Sequence, residues 1–250
     1  MRWTASGCTD IGRRRDRNED AYAVDDDHGV YVVADGMGGH AGGAHASGLA
    51  VTQVVQTFAT AVRAADVELP TGRGAVVAAA LRTSVQSASA RIRAFAKAHP
   101  EYKGMGTTVV ALAVDGAEAH LAHVGDSRIY RLRRGDIAQM TDDHSLVAQS
   151  IRDGLLTAEQ ARTHRMRNVI TRALGFDDTV DVEVRSLPAE AGDVYLLCSD
   201  GLSGKVQPAE IVEALTALSL DDAVRRLIAL ANARGGEDNI TALAVRADAP

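Results

Sequence analysis

The chain reads as an α+β protein in which antiparallel sheets carry helices on their outer faces. Three observations predict this. Segments of strand character come in groups with helical segments clustered between the groups, not in strict β-α-β alternation. The dipeptides Asp115-Gly116 and Arg134-Gly135 stand between strand segments at hairpin spacing. Two long segments carry a single apolar stripe at helical spacing. The 250 residues, 46% hydrophobic and 24% charged, suffice for a sizeable core without staples and exclude disordered, collagen-like and disulfide-scaffold classes. With no repeat, low-complexity tract or linker, the simplest organisation is one domain over 1–250.

In chain order, 3–9 and 21–34 are expected as strands, with Val30 to Ala34 a short buried run. Ser47, Val51, Val54, Val55, Phe58 and Val62 predict a helix over 43–64, and Pro70 to Gly74 a loop. Val77, Leu81, Val85, Ala88, Ile92 and Phe95 then form one stripe of a helix that ends before Pro100. The period changes to strands at Thr108–Val114, Ala119–Val124, Ser127–Leu132 and Asp136–Met140. Residues 143–175 are polar, arginine-rich and short-helical, an excursion from the core. Strands resume at 180–186 and 193–198, two amphipathic helices follow near 208–217 and 221–233, and a last strand covers 240–246.

A net charge of −6 argues against a dedicated nucleic-acid binder. Cys8 and Cys198 make neither a disulfide framework nor a zinc cluster and suit a reducing compartment. Met1 to Ser6 lacks a signal-peptide core, and apolar runs such as Val76 to Leu81 are too short to span a bilayer, so the expectation is a soluble cytoplasmic protein.

Acidic residues recur where an apolar strand meets a turn: Asn18-Glu19-Asp20, Val33-Ala34-Asp35-Gly36, Val124-Gly125-Asp126, Cys198-Ser199-Asp200-Gly201 and Glu237-Asp238-Asn239. Turn formation explains any one of them. All five together, four of them at the same kind of strand junction, call for more, because an isolated buried carboxylate is very costly. Basic residues near them are few outside Arg13 to Arg17. Hard divalent cations resolve the conflict, and Gly36 lets a backbone carbonyl serve as a further ligand. No close-spaced histidine pair favours zinc.

The same residues carry a resemblance. Arg15-Asp16-Arg17-Asn18-Glu19-Asp20, Asp35-Gly36-Met37-Gly38-Gly39, Gly104-Met105-Gly106-Thr107-Thr108, Gly125-Asp126-Ser127-Arg128, Ile170-Thr171-Arg172-Ala173-Leu174-Gly175, Ser199-Asp200-Gly201-Leu202 and Glu237-Asp238-Asn239-Ile240-Thr241 follow one another as in the metal-dependent serine/threonine protein phosphatases of the PP2C (PPM) family. The Asp-Gly-Met-Gly-Gly form resembles bacterial members. The resemblance implies a four-layer αββα sandwich with a flap at about 143–175. It implies two Mn²⁺ or Mg²⁺ ions, with Asp35 bridging them, the Gly36 carbonyl on one, and Asp200 and Asp238 on the other. Glu19 and Asp20 resemble the acidic pair that contacts metal or its waters, and Asp126 with Asp200 resembles the site of a weaker third ion. Arg15 resembles the phosphate-binding arginine. Met37 stands where many eukaryotic members have histidine, which leaves His40 or a water as proton donor, and Gly204 stands where many bacterial members have an acid.

The implied reaction is in-line attack of a metal-bridging hydroxide on phosphoserine or phosphothreonine, reversing Ser/Thr kinases, by a monomer that binds phosphoproteins and no nucleic acid. Two alternatives are a catalytically inactive binding module, against which the retained Asp35, Asp200 and Asp238 argue, and a hydrolase of small phosphoesters. The Cys-x5-Arg spacing of Cys8 to Arg14 is that of cysteine phosphatases, but the segment leads toward a strand and not a helix start. The Gly36 to Ala41 run fits a dinucleotide fingerprint, yet Asp35 would repel a pyrophosphate. Arg162, His164, Arg165, Arg167 and Arg172 read as a solvated flap surface able to steer an acidic phosphoprotein, and His123 as a structural residue.

Overall fold

A computed structural model describes residues 1–38, 42–68 and 73–249, with only the backbone at 65–68 and 162. One sheet contains β1 (Arg2–Asp10), β11 (Ile240–Asp248), β10 (Val194–Cys198), β7 (Arg128–Arg133) and β8 (Asp136–Gln139), in that order. The second contains β2 (Asp20–Asp25), β3 (Val30–Met37), β5 (Val109–Asp115), β6 (Glu118–Val124) and β9 (Glu183–Pro188), with the short β4 (Gly106–Thr107) beside β3. Every pairing is antiparallel. Helices α1 (Gly42–Glu68) and α2 (Arg73–Ala98) cover the second sheet, and α6 (Pro208–Ala217) and α7 (Leu220–Ala233) the first.

The two-residue period of a strand explains the layers. On β3, Val30, Val32 and Ala34 pack with Val54, Phe58 and Leu81 of the helices, whereas Tyr31 and Val33 enter the core between the sheets. On β10, Leu196 and Cys198 face Ile211 and Leu227, whereas Tyr195 and Leu197 meet Tyr31 and Leu112. Both faces of these strands are buried, so their sequences read as unbroken apolar runs instead of alternating ones. Helix starts are set locally. The Ser219 hydroxyl accepts the Asp222 amide at 3.2 Å to cap α7, and Gln207 and Glu210 form a reciprocal box at α6.

Several boundaries differ from expectation. The 21–34 segment is two strands, because Asp25 accepts the His28 amide and Gly29 takes a positive φ of 64° in the turn between them. Arg73 and Gly74 begin α2 instead of closing a loop. The strand expected at 180–186 lies at Glu183–Pro188, because it pairs with β6 only from Glu183 onward. Three short elements escaped the periodicity: a 3-10 turn at Pro100–Tyr102, β4 and α5 (Asp200–Ser203). The 143–175 segment contains α3 (Leu146–Arg152) and α4 (Ala158–Arg162). No helix among the described residues is long and apolar enough to cross a membrane.

Candidate functional site

The five acidic turns meet at one end of the sandwich. Asp20 opens β2 directly across from Asp35 near the end of β3. Asp200 starts α5 after β10, Asp238 precedes β11, and Asp126 lies in the turn between β6 and β7. Asp20 stitches the sheets together: its Oδ2 accepts the Ser199 hydroxyl at 2.8 Å and the Thr241 hydroxyl at 2.7 Å, both from the opposite sheet side. Asn239 accepts the Glu19 amide at 2.8 Å and donates to the carbonyls of Ile11 and Arg17. The Thr108 hydroxyl meets the Asp35 amide at 3.1 Å and the Ser127 hydroxyl at 2.7 Å, joining the Asp35 and Asp126 turns.

Two glycines permit the close approach. A Cβ on Gly36 would strike the carbonyls of Gly43 and Glu19, and one on Gly201 would strike the Asn239 carbonyl. Glycine at 36 therefore lets the chain after Asp35 run against Glu19. Glycine at 201 lets α5 begin on the Asp238–Asn239 turn, which brings Asp200 to Asp238.

The electrostatics are those of crowded acids with too few cations. Burial lifts Asp35 well above the ordinary carboxylate range, and Asp20, Asp200, Asp126 and Asp238 lift it further. Burial and then Asp238 raise Asp200, which is partly relieved by a hydrogen bond with Asp35. Asp20 and Asp126 are each pushed up to about 7, mainly by burial. Two oxygens, Oδ1 of Asp20 and Oδ1 of Asp200, are buried with no hydrogen-bond partner. Such atoms are costly unless something outside the chain satisfies them. The donor set is all oxygen and anionic, which suits Mg²⁺ or Mn²⁺.

Arg15 stands at the rim with 51% of its side chain exposed and donates to Asp238 Oδ2 at 2.8 Å. The Glu19 carboxylate lies against Gly43. His40, the possible proton donor, lies outside the described residues. The other nearby cation, Arg128, is committed to Asp143 through hydrogen bonds of 2.6–3.2 Å.

The rival readings find no such support. Cys8 sits within β1 opposite Ala242, and burial raises its thiol pKa, the reverse of what a nucleophilic thiolate needs. Cys198 is buried and pushed up to about 12. In the basic cluster, Arg172 pairs with Glu183 and Asp181, Arg165 and Arg167 are exposed, and the Arg162 side chain lies outside the described residues.

One supporting residue escaped the sequence reading. His144 grips the peptide before Asp126 from both sides: its amide donates to the Gly125 carbonyl at 2.9 Å, and its Nδ1 accepts the Gly125 amide at 3.1 Å. The only signal was its place in Asp142-Asp143-His144-Ser145, which spacing alone does not distinguish from a turn. His123, His144 and Glu183 bring three potential metal ligands together. Their hydrogen bonds disfavour that use. Because His144 Nδ1 accepts from a backbone amide, its proton resides on Nε2, which donates to Glu183 Oε1 at 2.8 Å. His123 Nε2 donates to the Asp142 carbonyl at 3.0 Å, and the Arg172 guanidinium stands 3.1 Å from His144 Nε2. Through His144 and Glu183 the cluster binds the 143–175 segment to β9, with His123 buried beside it.

Residues 12–243 match the family described as Protein phosphatase 2C. The serine/threonine phosphatase stp of Listeria monocytogenes is 38% identical over 96% of this chain and 94% of its own. The Mycobacterium tuberculosis serine/threonine phosphatase PstP/Ppp superposes with a TM-score of 0.89 at 35% identity, covering 100% of both chains. A catalytic domain of PstP solved in complex with two manganese ions superposes with a TM-score of 0.84 at 35% identity, covering 99% of both.

Proposed function

Because the chain belongs to the protein phosphatase 2C family, we propose that it hydrolyses phosphoserine and phosphothreonine esters of proteins at the Asp35, Asp200 and Asp238 cluster. The observation that carries this reading is a crowd of carboxylates in which Oδ1 of Asp20 and Oδ1 of Asp200 are buried without partners, and in which burial and then the neighbouring acids raise Asp35 and Asp200. Asp35 and the Gly36 carbonyl would hold one divalent cation, and Asp35, Asp200 and Asp238 a second. Asp126 with Asp200 would hold a weaker third. Glu19 and the free Oδ1 of Asp20 would support them from the β2 side.

Mn²⁺ or Mg²⁺ held there supplies Lewis-acid polarisation of the phosphoryl group and an acidified water. The chain supplies the rest. Ser199 and Thr241 fix Asp20, Thr108 fixes Asp35 and His144 fixes the Asp126 turn, so the carboxylates are arranged before substrate arrives. Arg15 retains donors beyond the one used on Asp238 and would clamp the phosphoryl oxygens in a bidentate manner. No side-chain nucleophile is needed, in keeping with the inert setting of both cysteines. The reading includes one phosphatase domain with a flap at about 143–175, acting as a monomer on phosphoproteins made by Ser/Thr kinases in the cytoplasm.

The test is turnover of a phosphothreonine peptide beside p-nitrophenyl phosphate, with Mn²⁺ and with excess chelator. Activity should require Mn²⁺ or Mg²⁺. Arg15→Ala should lower kcat/KM by about 10–100-fold, the worth of a charged hydrogen bond, with metal content unchanged. Full activity in excess EDTA would overturn the assignment.

A further inference from the structure

The carboxylates open into a cleft of about 880 Å³ that extends well past them. From Asp126, Asp200 and Asp238 it runs outward between the 143–175 segment and the chain that links α5 to α6. One wall is α3, which presents Val147, Ala148 and Ile151. Val206 and Pro208 form the opposite wall, and Ile137 contributes to the floor. Helix α3 has no buried residue, and Ile151 is 39% exposed. Two branched aliphatic side chains are thus held out of the core and turned into a cleft that begins at the catalytic acids.

Other charges that line the cleft are neutralised within the chain. Arg128 pairs with Asp143 and Lys205 with Glu237. Arg167 lines the cleft, is exposed and has no ion-pair partner among the described residues. The result is a trough of mixed lining, with aliphatic side chains on its α3 wall and a cation at its side, continuous with a site for a phosphoryl group. Its volume lies toward the upper end of ligand pockets, roughly 300–1,000 Å³, and far exceeds the needs of one phosphorylated side chain. Uncovered aliphatic surface of this kind marks a binding face.

We propose that this cleft binds the polypeptide flanking the phosphorylated residue, with an aliphatic substrate side chain seated on Val147 and Ile151 and a substrate carboxylate at Arg167. The proposal rests on the phosphatase reading above and adds a substrate class to it: phosphopeptides with a large aliphatic residue and an acid beside the phosphoresidue. An isolated small phosphoester would leave the trough empty, since it brings no extended chain from the acids into it.

The experiment uses the whole chain and phosphothreonine peptides in which one leucine is moved position by position on either side of the phosphoresidue, against an all-serine parent. Two readouts are taken: kcat/KM with Mn²⁺, and fluorescence anisotropy of the matching non-hydrolysable phosphonate peptides. At the preferred position, leucine should improve both by about tenfold, the low end of what apolar pocket contacts discriminate. In Val147→Ser/Ile151→Ser the leucine-to-serine ratio should fall to about one. Arg167→Glu should reverse the preference for a neighbouring acid. Because Ile151 is already exposed, the variants should keep the wild-type Tm. No leucine preference at any position, or an undiminished one in the double variant, overturns the proposal. Absence of hydrolysis of every phosphoester, with leucine-dependent anisotropy intact, would overturn the phosphatase reading and leave the cleft assignment standing.

Discussion

Strand β10 begins after a buried carboxylate, Asp193, and ends before a half-buried one, Asp200, and the two have opposite surroundings. Asp193 accepts Arg133 Nε at 2.7 Å, Arg133 Nη2 at 2.6 Å and the Glu190 amide at 2.9 Å. Burial works to raise its pKa, but these donors outweigh it and the pKa is lowered. Asp200 has an oxygen with no partner, and burial and Asp238 raise its pKa. A carboxylate that serves the fold is fully paired by the chain. A group of carboxylates left short of donors, at an end where several strands converge, is set aside for a ligand the chain does not contain.

The same substitution at the two ends of β10 should therefore act in opposite directions. Asp200→Asn should lower kcat/KM by at least ~100-fold, beyond the 10–100-fold typical of residues that only support ligands. It should also remove the Mn²⁺-induced rise in Tm, while raising the Tm measured in chelator, because one charge leaves a crowded cluster. A lower Tm in chelator would show that Asp200 also holds the fold. Asp193→Asn should leave metal-dependent turnover intact and destabilise the protein by about 2–3 kcal/mol, since a fully buried group loses its charge-assisted pairing with Arg133. Urea denaturation reads this directly, and an unchanged midpoint would mean that the network adds nothing.

The pH dependence should separate the two ends as well. Asp20 and Asp126 hold protons up to about pH 7 when folded and only to their ordinary 3.8 when unfolded. In chelator, these two groups should make stability fall as pH rises from about 4 through 7 and level off above. The Asp193 contribution runs the other way: it is present above the ordinary carboxylate pKa and is lost as pH falls through its lowered value. Tm measured across this range should slope downward with pH in wild type, and Asp126→Asn should flatten part of that slope. The smallest effect is expected at Cys8. Cys8→Ser should retain manganese-dependent activity and shift stability by less than about 1 kcal/mol, because the thiol is only partly buried. Loss of activity together with a trappable phosphoenzyme would return the thiol mechanism to contention.

Much of this was legible in one dimension. The period of two in β3 and β10 is masked by burial of both faces, yet their apolar runs and the Asp-Gly pairs near their C-terminal ends mark where the strands finish from local chemistry alone. The stripes of α1 and α2 identify the helices because 3.6-residue spacing is a property of a contiguous segment. Residue type likewise marked Asp35, Asp200 and Asp238 as candidates, since a carboxylate beside an apolar strand is costly wherever it lands. What the chain order could not convey is which distant groups would share space. Ser199 and Thr241 on Asp20, the two-sided grip of His144 on Gly125, and the pairing of Arg15 with Asp238 join residues 179, 221, 19 and 223 positions apart. Serine, threonine and histidine are common in turns, so nothing local distinguishes these from their neighbours. Only the tertiary fold, through pairing within a sheet and packing of one sheet on the other, brings their donors and acceptors within hydrogen-bonding distance. The cleft is likewise a property of tertiary structure alone, because Val147 and Ile151 look like core residues of a helix until the fold leaves that helix without a core to cover.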